Sequence, residues 1–375
     1  MHISTRFDSG NIEVIKATSP DDVQLKIRVD HGSEFLQWFH FRVVGARAQP
    51  LTLKLVNAAQ ASYPKGWENY RAVASYDRQE WFRVPTRYEG GVLKIQHTPE
   101  ADSVYYAYFA PYSHERHQDL LARSQRSPRC RLELLGRTLD GRDLDLLTIG
   151  DPARAERACW IIARQHPGES MAEWLIEGVL DRLLDEHDPV ARALLERAAF
   201  YVVPNMNPDG SARGHLRTNA VGANLNREWE TPTMERSPEV FLVRERMRAT
   251  GVDFFLDVHG DEGLPYNFIA GPDGVPGLRR EVLALQQEYE RALTRLCPDF
   301  QTKYGYPRAA PGKANMTMAT NHVADAFQCL SMTLEQPFKD NADAPDPRYG
   351  WSPTRCRTLG VATLDALYAV FDDLR

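Results

Sequence analysis

The sequence has no run of apolar residues approaching the roughly 20 that a membrane-spanning helix requires, so no transmembrane segment is expected. Its start, MHISTRFDSG, lacks the apolar core of a secretory signal. Basic residues are not in excess. With 45 Lys and Arg against 51 Asp and Glu, the formal net charge is −6, which argues against a broad nucleic-acid surface. Cysteine is scarce: Cys130, Cys159, Cys297, Cys329 and Cys356 are scattered, odd in number and never paired as Cys-x-x-Cys. Reduced, buried thiols in a cytoplasmic protein are the simplest expectation. Internal repeats and low-complexity stretches are also missing.

What remains is an ordinary globular composition, 43% hydrophobic and 26% charged, in 375 residues, enough for two domains. The first part reads as strands at Val23–Val29, Phe35–Gly45, Leu51–Asn57, Gly91–His97 and Ser103–Tyr112. These runs alternate, are rich in β-branched and aromatic residues, and are separated by turn signals such as YEGG. Short strands at this spacing without helical patterns predict an all-β sandwich over residues 1–115. The character changes at SHERHQDLLARSQ (Ser113–Gln125), where Ser113 can cap a helix, and the second domain is expected over 116–375. There strands (Asp143–Gly150, Ala158–Gln165, Arg197–Asn207, Val252–Gly260, Cys329–Phe338) alternate with helical patterns (Met171–His187, Gly277–Leu296). Apolar strands flanked by helices predict an α/β fold around a mixed sheet.

Ligands of open α/β sheets sit beyond the carboxyl ends of the strands, and unusual residues collect there. His166 and Glu169 follow one strand in RQHPGES, His259 ends another in DVHG, and Glu335 lies near the end of LSMTLE. A catalytic zinc takes three protein ligands and keeps a position open. His166, Glu169 and His259 supply two imidazoles and a carboxylate, and the i, i+3 spacing suits one turn at a helix entrance. The alternative is a capping glutamate and two polar histidines. Asp257, two residues before His259, is either an acceptor that orients a ligand histidine or a polar turn residue. Hydrolysis of an amide also needs a group to take the water's proton and deliver it to the leaving amine. Glu335, in an otherwise apolar strand, is the candidate; a salt-bridging rim carboxylate is the alternative. Arg217 in GHLRTN and the pair Asn226–Arg227 in NLNREW offer two guanidinium groups and an amide. Beside a metal they suit a substrate carboxylate and a developing oxyanion, although each arginine alone reads as a surface ion pair.

The set HPGE, NPDG…R…NLNREW, DVHG and TLE resembles the zinc metallocarboxypeptidases. FDSGNIEVI (Phe7–Ile15), QWFHFRV (Gln37–Val43) and YFAPYSHERHQDLLAR (Tyr108–Arg123) resemble their cytosolic carboxypeptidase branch, whose animal members include tubulin deglutamylases. The resemblance implies an α/β/α zinc carboxypeptidase domain preceded by the β-sandwich. It implies one zinc per chain held by His166, Glu169 and His259, with Glu335 as general base and acid. Arg217 would stabilise the oxyanion, and Asn226 and Arg227 would grip the terminal carboxylate of a peptide or protein. The family's mobile tyrosine over the substrate corresponds to Tyr304 or Tyr306, in the loop TKYGYPRAAPGKANMT.

One departure is Asn224, where the family often has an aspartate bonded to a ligand histidine. An amide oxygen still accepts the imidazole N–H but raises ligand basicity less. Two other readings are a zinc amidohydrolase of the aspartoacylase or succinylglutamate desuccinylase type, acting on N-acyl amino acids, and a catalytically dead binding module. The β-sandwich argues against the first; Glu335 and Arg217 argue against the second. An acidic C-terminal residue is the branch's expectation, yet Gly312–Gln328 holds only Lys313 and His322 as cations. A weak glutamate preference, with neutral or small residues also accepted, is therefore expected.

Overall fold

The computed structural model describes residues 1–374. Two five-stranded sheets occupy the first part. One has the order His2–Ser4, His40–Val44, Ser103–Ala107, Val73–Ser75, Phe82–Arg83. The other runs Glu13–Lys16, Val23–Lys26, Leu51–Leu55, Val92–His97, Thr86–Glu89. The alternation of Leu51, Leu53 and Leu55, buried, with half-buried Thr52 and Lys54 shows why such a run becomes a strand with one face in the core.

The strands expected in the first part are all shorter than the sequence suggested, two of them by about half. Of Phe35–Gly45 only His40–Val44 forms a strand, because the backbone before it bonds elsewhere: the Phe35 carbonyl accepts from the Asp30 N–H, and the Leu36 N–H and carbonyl bond to the Ser62 hydroxyl and N–H. The amide of Gln37 donates to the Tyr63 carbonyl and the Tyr108 hydroxyl, and the Trp38 indole donates to the Ser9 carbonyl. The Ser103–Tyr112 strand stops at Ala107, after which the chain crosses to the second part. Tyr108 stacks on Phe338 with ring centroids 4.4 Å apart. Helix His114–Ser124 then begins, with the Ser113 hydroxyl accepting from the Arg116 N–H at 3.2 Å.

The second part is built on a seven-stranded sheet in the order Cys130–Arg137, Asp143–Ile149, Ala198–Val203, Arg157–Ala163, Phe254–Val258, Leu330–Glu335, Phe268–Ala270. The four strands from Ala198–Val203 to Leu330–Glu335 are parallel, and the flanking ones antiparallel. Every residue of Leu330–Glu335 and Phe254–Val258 is buried, as expected of strands covered by helices on both faces. Helices Met171–Leu183 and Pro353–Val370 pack together on one side, and Pro238–Thr250 and Ala319–Phe327 lie on the other.

The hydrophobic cluster on the first side does not stop at the sheet. It runs without a break from Val23, Leu53 and Tyr106 of the first part through Trp174 and Leu367 to Phe371. Arg83 fastens the same junction. Its buried guanidinium donates to the carbonyls of Arg71, Phe338, Lys339, Tyr349 and Trp351. Burial lowers its pKa to about 10. Replacing it by leucine strips buried carbonyls of their donor, at about 2–4 kcal/mol in total. Arg83→Leu should lower the urea midpoint of one transition that both parts share; two separate transitions would contradict a shared core.

Candidate active site

The strand Arg157–Ala163 delivers the chain to the turn Arg164-Gln165-His166-Pro167-Gly168-Glu169, which opens helix Met171–Leu183. Arg164 adopts a left-handed backbone (φ 59°) and is buried there. Its guanidinium donates to the carbonyls of Pro167 and Tyr112 and to the Glu173 carboxylate at 2.7 Å, which locks the turn from below. Gly168 is required by close approach: its N–H donates to the Leu216 carbonyl at 2.9 Å, and a Cβ would sit 2.9 Å from that same oxygen. The turn and the loop bearing Arg217 therefore fit together only with glycine.

On this turn His166 and Glu169 meet His259, which follows strand Phe254–Val258. Glu169 Oε1 lies 2.7 Å from His166 Nδ1, Glu169 Oε2 lies 2.7 Å from His259 Nδ1, and the two Nδ1 atoms are 3.2 Å apart. The far nitrogens are committed elsewhere. His166 Nε2 faces Asn224 Oδ1 at 3.1 Å, and His259 Nε2 faces Asp257 Oδ2 at 2.9 Å. If each Nε2 carries the proton, both Nδ1 lone pairs and a carboxylate point at one spot. Such a set repels itself unless a cation lies among the donors, and two imidazoles with one carboxylate are a donor set that suits zinc. Asp257, open between two readings in the sequence, thus sits as an orienting acceptor. It is held in turn by the Gln165 amide at 2.6 Å, whose oxygen accepts from the Trp229 indole at 2.8 Å.

Glu335 is the last residue of its strand and is 7% exposed. Its Oε2 has no hydrogen-bond partner among the described residues. Burial foremost raises its pKa to about 8, opposed by His259 and reinforced by Glu169, Asp261 and Asp257. A cation at the neighbouring donors would pull that value down again. Tyr306 donates to Asp261 Oδ2 at 2.6 Å and lies 3.3 Å from Glu335 Oε1. Tyr304 goes elsewhere: it stacks on Tyr266 at 4.4 Å. Of the two loop tyrosines, the structure brings only Tyr306 to Glu335.

Asn226 and Arg227 lie on the short turn Leu225–Arg227, capped by Asn224 Oδ1, which accepts from the Asn226 N–H at 3.1 Å. One amide oxygen thereby ties the His166 ring to the Asn-Arg turn. Asn226 Oδ1 accepts from the Ala319 N–H at 2.9 Å, and its Nδ2 makes no hydrogen bond among the described residues. Desolvation first, and the charge of Arg217 second, lower the Arg227 pKa, so the two guanidinium groups share one space. The Tyr63 hydroxyl belongs to it as well: burial raises its pKa to about 12, and it senses Arg217, Glu262, Glu169 and Arg227. Tyr63, Glu262 and Asp261 were not singled out in the sequence. Asp261 and Glu262 follow DVHG directly, and that adjacency was the available signal.

Beside Tyr306 opens a cavity of about 420 Å³, lined among others by Thr333, Thr320, Met318, Arg308 and Lys313. Thr333 precedes Glu335 by two residues on one strand and so shares its face. His322 does not line it but lies near Trp229, ring centroids 6.4 Å apart. Arg308, upstream of the stretch considered in the sequence, joins Lys313 instead, with Asp273 and Glu290 among the opposing carboxylates.

A mixed α/β sheet with these groups converging beyond its strand ends defines a metallohydrolase. Residues 117–355 match the zinc carboxypeptidase family, and residues 3–109 match the cytosolic carboxypeptidase N-terminal domain. The chain belongs to the zinc carboxypeptidase family and is a metallocarboxypeptidase. A metallo-carboxypeptidase from Burkholderia cenocepacia is 50% identical, with a TM-score of 0.97 and 99% of each chain covered. A metallo-carboxypeptidase from Pseudomonas aeruginosa, solved with (2-guanidinoethylmercapto)succinic acid, is 46% identical, with a TM-score of 0.97 and 100% of each chain covered. Mouse cytosolic carboxypeptidase 3 is 25% identical over 371 residues, and the match covers 89% of this chain but only 36% of that protein. Among the described residues no helix is long and apolar enough to cross a membrane.

The fit between turn and loop yields an expected outcome. Gly168→Ala must push the Leu216 backbone, and with it Arg217, aside. A displacement near 1 Å costs about a hundredfold in rate, so kcat should fall by that order with the folded state retained by circular dichroism. Unchanged turnover would show that the close approach does not matter.

Proposed function

We propose that one zinc per chain binds at His166, Glu169 and His259, and that the protein removes C-terminal residues from peptides or proteins in the cytoplasm. The observation that carries this reading is the convergence of His166, Glu169 and His259, whose ligand atoms lie within 4.8 Å of one another, with a Glu335 oxygen beside them that has no hydrogen-bond partner among the described residues. When bound, the metal would supply Lewis acidity toward the scissile carbonyl and acidify water. Glu335 takes the proton of the attacking water and returns it to the leaving amine, a role suited to a carboxyl whose acidity its surroundings control. Arg217 donates to the carbonyl oxygen as negative charge builds there. Asn226 Nδ2 and the Arg227 guanidinium hold the substrate's terminal carboxylate, which makes the enzyme an exopeptidase. Tyr306 covers the substrate; the displacement of Tyr304 supports that choice between the two. We assign residues 1–115 to an N-terminal β domain and 116–375 to the catalytic domain.

The cavity next to Tyr306 would receive the C-terminal side chain. Arg308 and Lys313 can meet a glutamate, but Asp273 and Glu290 offset them. Preference for glutamate should therefore be weak.

Two experiments test the reading. His166→Ala should purify without its zinc, whereas Glu335→Gln should keep the metal and lose about 10²–10⁴-fold in turnover. Full zinc in the first variant, or near-normal rates in the second, would remove the corresponding assignment. For specificity, kcat/KM should be compared for peptides ending in Glu, Ala and Leu, each as free acid and as amide. Amidation should cost about 2–5 kcal/mol, since it leaves a guanidinium unpaired. Equal rates for amides would refute exopeptidase action. A glutamate preference above about a hundredfold, near 3 kcal/mol, would reveal a dedicated cation.

A further inference from the structure

The loop that carries Arg217 is shaped around an anion that the first part of the chain supplies. Asp30 is 1% exposed. Its Oδ1 accepts from the Leu216 N–H at 2.6 Å. Its Oδ2 accepts from the N–H groups of Arg217 and Thr218 at 2.7 and 3.0 Å and from the Thr218 hydroxyl at 3.1 Å. Three successive N–H groups closing on one carboxylate form an anion nest. A carboxylate only accepts, so all four donors are satisfied by it.

Neighbouring contacts hold the two segments in register. The His31 N–H donates to His215 Nε2 at 3.1 Å, and the Asn11 amide donates to the Gly214 carbonyl at 2.7 Å. A Cβ on Gly222 would lie 2.2 Å from the Gly32 carbonyl oxygen, so the backbones touch. The Arg217 guanidinium lies over the rings of Phe35 and Tyr63, 5.4 and 5.6 Å from their centroids, within cation–π range. Backbone and side chain of Arg217 are thus both placed by residues of the first 63 positions.

We infer that Asp30 is a positioning residue for the hydrolytic reaction: its carboxylate fixes the backbone of Arg217, and the Phe35 and Tyr63 rings set the direction of its guanidinium. The first part of the chain is on this account a component of the active site. The inference rests on the reading of Arg217 as the group that stabilises the oxyanion, and it goes beyond that reading by naming what holds Arg217 in place. Asparagine at position 30 is isosteric but turns an NH₂ toward an N–H, so the nest opens while the packing volume is kept.

The test is a double-mutant cycle on the full-length, zinc-loaded enzyme, using an N-blocked tripeptide with a free C-terminus. Arg217→Ala is measured alone first; a rate within about threefold of the parent would overturn the role of Arg217, and the inference with it. Given the expected loss there, Asp30→Asn should lower kcat by about a hundredfold, with KM and zinc content nearly unchanged and the enzyme still folded at the assay temperature. In the Arg217→Ala background the same change should cost less than about threefold, because nothing remains to position. An equal loss in both backgrounds would make Asp30 a purely structural staple and overturn the inference, as would no loss in the parent. If Asp30→Asn does not fold, Phe35→Leu takes its place in the cycle and is held to the same outcomes.

Discussion

The Nδ1 atoms of His166 and His259 stand 3.2 Å apart, each 2.7 Å from an oxygen of Glu169. With both Nε2 atoms protonated, three buried acceptors at that spacing repel one another unless a cation lies among them, and hydrogen bonds from the surrounding protein fix their orientation. Each donor has an outer partner: Asn224 behind His166, Asp257 behind His259, and the Gly260 N–H, 3.0 Å from Glu169 Oε2. Behind Asp257 stands Gln165, and behind Gln165 stands Trp229. The strand ends supply position, and these hydrogen bonds supply orientation.

The same donors are braced by contacts that join the two parts of the chain. The cluster that buries helix Met171–Leu183 is continuous with the core of the first two sheets. Ala110, just past the last strand of the first part, accepts from both the Ser170 hydroxyl and the Trp174 indole, at 2.9 and 3.0 Å. The entrance of the helix that follows Glu169 is therefore fixed by a carbonyl from the first part.

The sequence disclosed the elements with strong punctuation. His166, Glu169, His259 and Glu335 each follow or end an apolar run, and chemistry-bearing residues in that place are conspicuous. Ser113 and Ser103–Ala107 were legible for the same local reasons. The strands at Glu13–Lys16, Phe82–Arg83 and Thr86–Glu89 were not, being short and polar, held by neighbours rather than by their own alternation. Cys130–Arg137 has its alternation broken by a register shift between Leu134 and Gly136. Asp30 was illegible for a different reason: its partner Leu216 is 186 residues away, and a lone aspartate before His-Gly-Ser looks like any turn. Tyr304 and Tyr306 share one loop, and only the fold separates them, by giving Tyr306 the Asp261 carboxylate and Tyr304 the Tyr266 ring.

The strand Leu330–Glu335 lies between Phe254–Val258 and Phe268–Ala270 in the sheet, although both neighbours precede it in the chain. During synthesis the ribosome releases His166, Glu169 and His259 before it releases Glu335, at rates of about 5–20 residues per second. Until that strand slots in, the two neighbours have an unfilled gap between them, and the cluster of His166, Glu169 and His259 stands without Glu335 beside it. On the proposed role of Glu335, the order of translation delays proteolytic competence: a nascent chain gains its proton-transfer group only when its own sheet is closed.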